Sequence, residues 1–165
     1  MRCVSSRCDV NPMSTPRTAL PVEVAWLGYG GLLPFLGLAV LAGADPQRAA
    51  DWSRALVAYG AIILSFVGAL HWGIAMSAVG LAPDLRRRAF VWSVVPALLA
   101  WPAFVQAGPV STLLLVAGFT LHLVQDHRLA PPAGLPGWYL PLRWRLTVVA
   151  CVCLVANAWL AAGRA

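Results

Sequence analysis

Four stretches of this chain contain no Asp, Glu or Arg: Val24 to Ala44, Ala55 to Pro83, Ala89 to Gln125 and Leu146 to Gly163, holding 21, 29, 37 and 18 residues. A helix that crosses the hydrocarbon core of a bilayer takes about 20 apolar residues, with a range of about 17–25. The first, second and fourth stretches each fit one crossing, and the third fits two. Gly108-Pro109 lies near the middle of the third, where Pro removes a backbone donor and Gly permits a tight turn. Composition bears on which solvent these stretches face: 60% of the 165 residues are hydrophobic and 11% charged, against about 45–50% and about 25% in soluble domains. The excess apolar surface must meet lipid, which excludes a free cytosolic enzyme, a disordered tail and a disulfide-stapled secreted domain.

The sequence therefore predicts an all-α, polytopic integral membrane protein. A single transmembrane domain over 22–162 holds five helices at about 22–43, 56–80, 89–106, 110–125 and 146–162, behind an N-terminal tail, 1–21. Met13 is an alternative start that would make residues 1–12 an over-read, and Cys3 and Cys8 in that tail lack further ligands nearby for a metal site. The third and fourth helices are short, so a re-entrant hairpin competes there with two full crossings; both versions leave the termini on opposite sides.

All twelve basic residues are Arg, and their placement orients the chain. One side carries Arg2, Arg7 and Arg17 in the tail, Arg86 to Arg88 after the second helix, and Arg128, Arg143 and Arg145 around the loop before the fifth. The other side carries Arg48, Arg54 and Arg164. Short basic loops stay cytoplasmic, so the N-terminus is expected in the cytoplasm and the C-terminus outside. The charge of +6 is topological and gives no nucleic-acid footprint, because the arginines are strung along loops. Trp26, Trp92, Trp138, Tyr139 and Trp144 fall near the Arg-rich ends of helices and Trp52 and Trp159 near the others, as interfacial belts do; Trp72 lies inside the second helix.

Polar groups inside the spans are the functional candidates, since lipid makes them costly. In the second helix Ala61, Ser65, Ala69, Gly73 and Ser77 recur every four residues, a small-residue stripe that lets a neighbouring helix approach closely. His71 lies on a flanking face with Gly60, Leu64, Gly68 and Ala75. His71 and His122, on helices running the same way, fall at similar depth. One reading has the two imidazoles hold a haem or metal between helices; the other has each bond a carbonyl or a Ser, or His122 pair with Asp126 one turn on. Pro34, Pro96 and Pro102 interrupt the first and third helices, which suits a cavity or irregular packing. No ionisable pair, no nucleophile beside a base and no phosphate-cradling loop is apparent within the spans, and no catalytic residue, metal ligand set or cofactor is assigned.

The segments Leu27 to Phe35, Tyr59 to Gly73, Ser93 to Pro96 and Trp138 to Arg143 resemble the transmembrane protein 69 family, also described as domain-of-unknown-function family 3429, over roughly residues 22–160. The most specific part is Ser65-Phe66-x-Gly68-x-x-His71-Trp72-Gly73. The resemblance implies a small polytopic protein of a bacterial inner membrane, or alternatively the mitochondrial inner membrane, with no activity to carry over, and makes His71, Trp72, Gly73 and Arg143 the positions to test. With Ser65, Gly68, Pro96 and Asp126 they form the candidate set. The leading expectation is a structural, assembly or helix-docking factor that meets another membrane protein, or a second copy of itself, in the bilayer. Its alternatives are a small-molecule binding or transport protein with a cavity around His71 and, more remotely, a haem or metal carrier.

Overall fold

The computed structural model describes residues 19–164 apart from residue 107; the alternative start at Met13 and the tail cysteines Cys3 and Cys8 lie outside the described residues. Six helices follow one another: α1 (Val22–Gly30), α2 (Leu33–Ala44), α3 (Ala49–Ser77), α4 (Pro83–Val105), α5 (Pro109–Leu129) and α6 (Tyr139–Ala162). Taken together, α1 and α2 make one membrane span of 23 residues, and α3 to α6 make spans of 29, 23, 21 and 24, each long and apolar enough to cross a bilayer. The chain is thus an all-helical protein of five spans. The break in the first span falls at Gly31 and Leu32, just ahead of Pro34. There the Tyr59 hydroxyl donates to the Gly31 carbonyl at 2.8 Å, giving a backbone acceptor at the interruption a partner inside the protein. Both α4 and α5 reach spanning length, with Gly108 at φ +88 in the turn between them, a conformation that side chains with a Cβ rarely adopt.

The helices extend beyond the charge-free stretches. α3 starts at Ala49 rather than near 56, α4 at Pro83 rather than 89, and α6 at Tyr139 rather than 146, while α5 runs to Leu129 rather than 125. A charge-free stretch measures the hydrocarbon core. Backbone hydrogen bonding continues past it into the headgroup layer, where long Arg stems keep their charge in polar surroundings. Asp126, just past the end expected for its helix, and Arg143, read from the sequence as a loop residue, are therefore both helical.

α3 is the central helix, packed against α2, α4, α5 and α6. Phe35, Leu56, Leu64, Leu115, Phe119 and Leu154 fill the middle of the bundle, and Trp26, Trp101, Trp144 and Trp159 face outward among many exposed apolar side chains. The packing face of α3 differs from the one the small residues indicate. Gly60, Leu64, Gly68, His71 and Ala75 are buried, whereas of the four-residue stripe Ala61 is buried, Ser65 is half-buried, and Ala69, Gly73 and Ser77 are exposed. The close approach occurs at Gly68, where a Cβ would lie 2.9 Å from the Pro96 ring and 3.0 Å from the Ser93 carbonyl oxygen. Among the described residues the stripe packs no neighbouring helix beyond its first members, because α4 lies over the adjacent face.

Arginines close two helix ends. Arg86 donates to the carbonyls of Ala75 (2.7 Å) and Ala78 (2.9 Å) at the end of α3, and Arg164 to those of Ala42 (2.6 Å) and Gly43 (2.9 Å) at the end of α2. Each supplies donors and positive charge to carbonyls that a helix terminus leaves without partners.

Candidate functional site

The polar centre lies within about two turns of the Arg-rich ends of α3 and α5. Its hub is Asp126, whose side chain is fully enclosed. One carboxylate oxygen, Oδ1, accepts from His71 Nε2 at 2.9 Å and from the Tyr139 hydroxyl at 3.0 Å; the other, Oδ2, accepts from Arg143 Nε at 2.7 Å. Tyr139 and Arg143 stand one helical turn apart at the start of α6, so both reach the same acceptor. A carboxylate with three donors, one of them a guanidinium, is the arrangement that makes a buried charge tolerable in a low-dielectric setting. An ionisable pair therefore does lie inside the spans, contrary to the reading from the sequence, since the extra turns of α5 and α6 carry both partners inward.

The two imidazoles touch, with ring centroids 4.6 Å apart. Their matched depth reflects a shared site, with a different division of partners. His71, and not His122, holds the carboxylate; His122 Nε2 is 3.7 Å from Asp126 Oδ1, beyond hydrogen-bond distance. His122 instead accepts from the Trp92 indole through Nδ1 at 3.0 Å. Since an indole N–H can only donate, His122 Nδ1 is unprotonated and the ring proton belongs to Nε2. That buried Nε2 has no partner among the described residues, nor has Arg143 Nη2.

His71, His122 and Asp126 offer ligand atoms within 4.8 Å of one another, close enough for one metal ion to reach all three. The donor set does not fit one. A cation on His122 Nε2 would require the ring proton to move to Nδ1, since ligating histidines donate their second N–H outward, and would leave the Trp92 indole N–H facing a donor instead of its acceptor. The Arg143 guanidinium also occupies one carboxylate oxygen and brings like charge to the spot. Rings this close leave no room between them for a porphyrin. The geometry therefore argues against a haem or metal held here.

His71 also forms part of the wall of a cavity of about 580 Å³ that opens at the Arg-rich end, lined from α4 by Leu85, Arg87, Arg88 and Trp92 and from α5 by Gln125 and Arg128, among others. A second cavity of about 550 Å³ lies at the opposite end, between Ser53, Phe104, Thr112 and Asn157. The apolar core around Leu64, Leu115 and Leu154 lies between them, so the two do not form a continuous polar channel.

Of the residues selected from the sequence, the fold brings His71, Asp126 and Arg143 together. Gly68 and Pro96 meet each other nearby and set the α3–α4 spacing. Ser65 is turned back on its own helix, donating to the Ala61 carbonyl at 2.9 Å. Trp72 is half exposed and meets Phe90 edge-on, and Gly73 is open on the outer surface. Trp92 and Tyr139 were not selected, since both read as belt aromatics. For Tyr139 the available signal was its i, i+4 spacing with Arg143; for Trp92 the sequence carried none.

Five apolar spans surrounding a buried, ion-paired carboxylate near one end define a polytopic membrane protein with a charged centre in its interior. The family model described as Protein of unknown function (DUF3429) matches residues 20–159. Transmembrane protein 69 of Xenopus tropicalis is 36% identical over 140 residues, covering 83% of this chain and 54% of that protein. The chain belongs to the DUF3429 family of transmembrane proteins. It spans about half the length of the curated relative it matches. No solved structure matches it.

Proposed function

We propose that this protein binds a small molecule at the Arg-rich end of its bundle, in the cavity that His71 helps to line. The observation that carries the reading is the junction between that cavity and the buried centre: a histidine 2% exposed lies on the cavity wall and is hydrogen-bonded to Asp126 on its inner side. A ligand there touches a group whose position is set by Asp126, Tyr139 and Arg143. At about 580 Å³ the cavity falls within the range of small-molecule sites, about 300–1,000 Å³. The full chain in lipid nanodiscs, released and weighed by native mass spectrometry, should carry a non-covalent small-molecule adduct. Leu85→Trp, which fills the cavity from α4, should remove that adduct while leaving the melting temperature in place. Identical spectra for the two proteins would refute the reading.

A helix-docking or assembly role is the second reading. It is favoured by one observation: Ala69, Gly73 and Ser77 are exposed, and a Cβ built on Gly73 meets nothing within 4 Å. Such a surface accepts a closely approaching helix from another membrane protein or a second copy.

We further infer that the Arg-rich end faces the cytoplasm of a bacterial inner membrane, the matrix being its counterpart if the membrane is mitochondrial. Arg86, Arg87, Arg88, Arg128, Arg143 and Arg145 lie at that end, against Arg48, Arg54 and Arg164 at the other. Expressed in a bacterium, a reporter fused after Ala165 should be active if it works only outside the cytoplasm and silent if it works only inside. The opposite pattern would reverse the assignment.

A further inference from the structure

We infer that the cavity beside His71 is a site for a phosphate-bearing headgroup, supplied in the membrane by an anionic phospholipid. The inference rests on the small-molecule reading above and specifies the chemistry of the ligand. It begins from what the arginines at this end do. Arg86 is occupied by the carbonyls of Ala75 and Ala78, Arg143 by Asp126, and Arg145 by the Tyr29 hydroxyl at 3.1 Å. Arg87, Arg88 and Arg128 have no hydrogen-bond or ion-pair partner among the described residues, and all three line the same cavity, two from α4 and one from α5.

Basic pockets between membrane-spanning helices on the cytoplasmic or matrix side recognise acidic lipid headgroups, and guanidinium groups match phosphate oxygens in a planar, two-pronged geometry. Asp84 on the same lining leaves an excess of positive charge and adds an acceptor for a hydroxyl, as on a glycerol headgroup. Apart from His71 and Gln125 the remaining wall is apolar: Leu85, Ala89, Val91, Trp92 and Leu129. Val91 is 61% exposed on the outer face of α4, so the lining is continuous with the surface that meets lipid and gives acyl chains a way out. The volume exceeds the needs of a bare phosphate ion. His71 lies at the cavity wall with Nε2 committed to Asp126, which leaves its second ring nitrogen to accept from a headgroup hydroxyl.

The test uses the delipidated chain in neutral phosphatidylcholine nanodiscs, titrated with phosphatidylglycerol, with glycerol 3-phosphate or with inorganic phosphate, and bound ligand is counted by native mass spectrometry. Wild type should retain phosphatidylglycerol over phosphatidylcholine. The triple variant Arg87→Gln/Arg88→Gln/Arg128→Gln should lose roughly a hundredfold in that preference, while Arg48→Gln/Arg54→Gln, at the other end, should keep it. The corresponding triple Lys variant, which preserves charge, should retain most of it and guards against a folding defect. Competition by glycerol 3-phosphate at comparable concentration would assign the same site to a soluble phosphate ester and still support the phosphate chemistry. Equal losses in the two Gln variants, or no preference in wild type, would overturn the inference. A neutral adduct lost in Leu85→Trp yet unchanged in the triple Gln variant would overturn the phosphate chemistry alone and leave the small-molecule reading standing.

Discussion

Asp126→Leu is expected to destabilise the protein by about 3–5 kcal/mol, the cost of leaving a buried charge without its partner. The substitution removes the acceptor shared by His71, Tyr139 and Arg143. Arg143 is 6% exposed, and its Nη2 already lacks a partner among the described residues, so the guanidinium has little compensation nearby. Unfolding in mixed micelles under increasing denaturing detergent reads the change. Arg143→Leu alone should also destabilise, by less, because the carboxylate retains two donors. The double variant Asp126→Leu/Arg143→Leu should be more stable than Asp126→Leu, since replacing a buried pair with apolar side chains removes the desolvation penalty along with the attraction. Simple addition of the two single losses would show that the pair is not coupled.

The second large effect is expected on the α3–α4 contact. Gly68→Ala should cost about 1–3 kcal/mol and Gly68→Val more, because the new atoms meet the Pro96 ring and the Ser93 carbonyl. Neither neighbour has a flexible end to move aside. Gly73→Leu, one and a half turns along the same helix, should change stability by no more than about 0.5 kcal/mol, since it points into open space. The same pair separates packing from docking. A stoichiometric partner that co-purifies in mild detergent and is lost on Gly73→Leu, with stability intact, supports a helix-docking role; retention of the partner on Gly73→Leu counts against that surface.

The five spans were legible in the sequence because lipid imposes a length on any stretch free of charge, and Gly108-Pro109 marked where the longest stretch turns back. The site was legible in part. His71 and His122 could be matched in depth from helix rise alone, yet rise gives no azimuth, so whether the rings met depended on packing. Asp126 and Arg143 were singled out individually, but ending each helix at its first charged residue put Asp126 just past one helix and Arg143 in a loop, which hid their pairing. The small-residue stripe misled for a related reason: periodicity identifies a face that can pack, whereas the position of Pro96 decides which face of α3 does. Trp92 and Tyr139 were assigned to the interface by residue type, a rule that describes where such rings sit and not what their polar atoms hold.

The distribution of the polar centre along the chain bears on how the protein is made. His71 and Asp126 belong to the second and fourth spans, whereas Arg143 belongs to the fifth. A ribosome emits the carboxylate before the guanidinium that neutralises it, so α5 reaches the membrane with its charge only partly compensated. Entry of α6 supplies the missing cation and the Tyr139 hydroxyl together. Of the three helices that share the centre, α6 is thus the one that completes the electrostatics of those inserted before it.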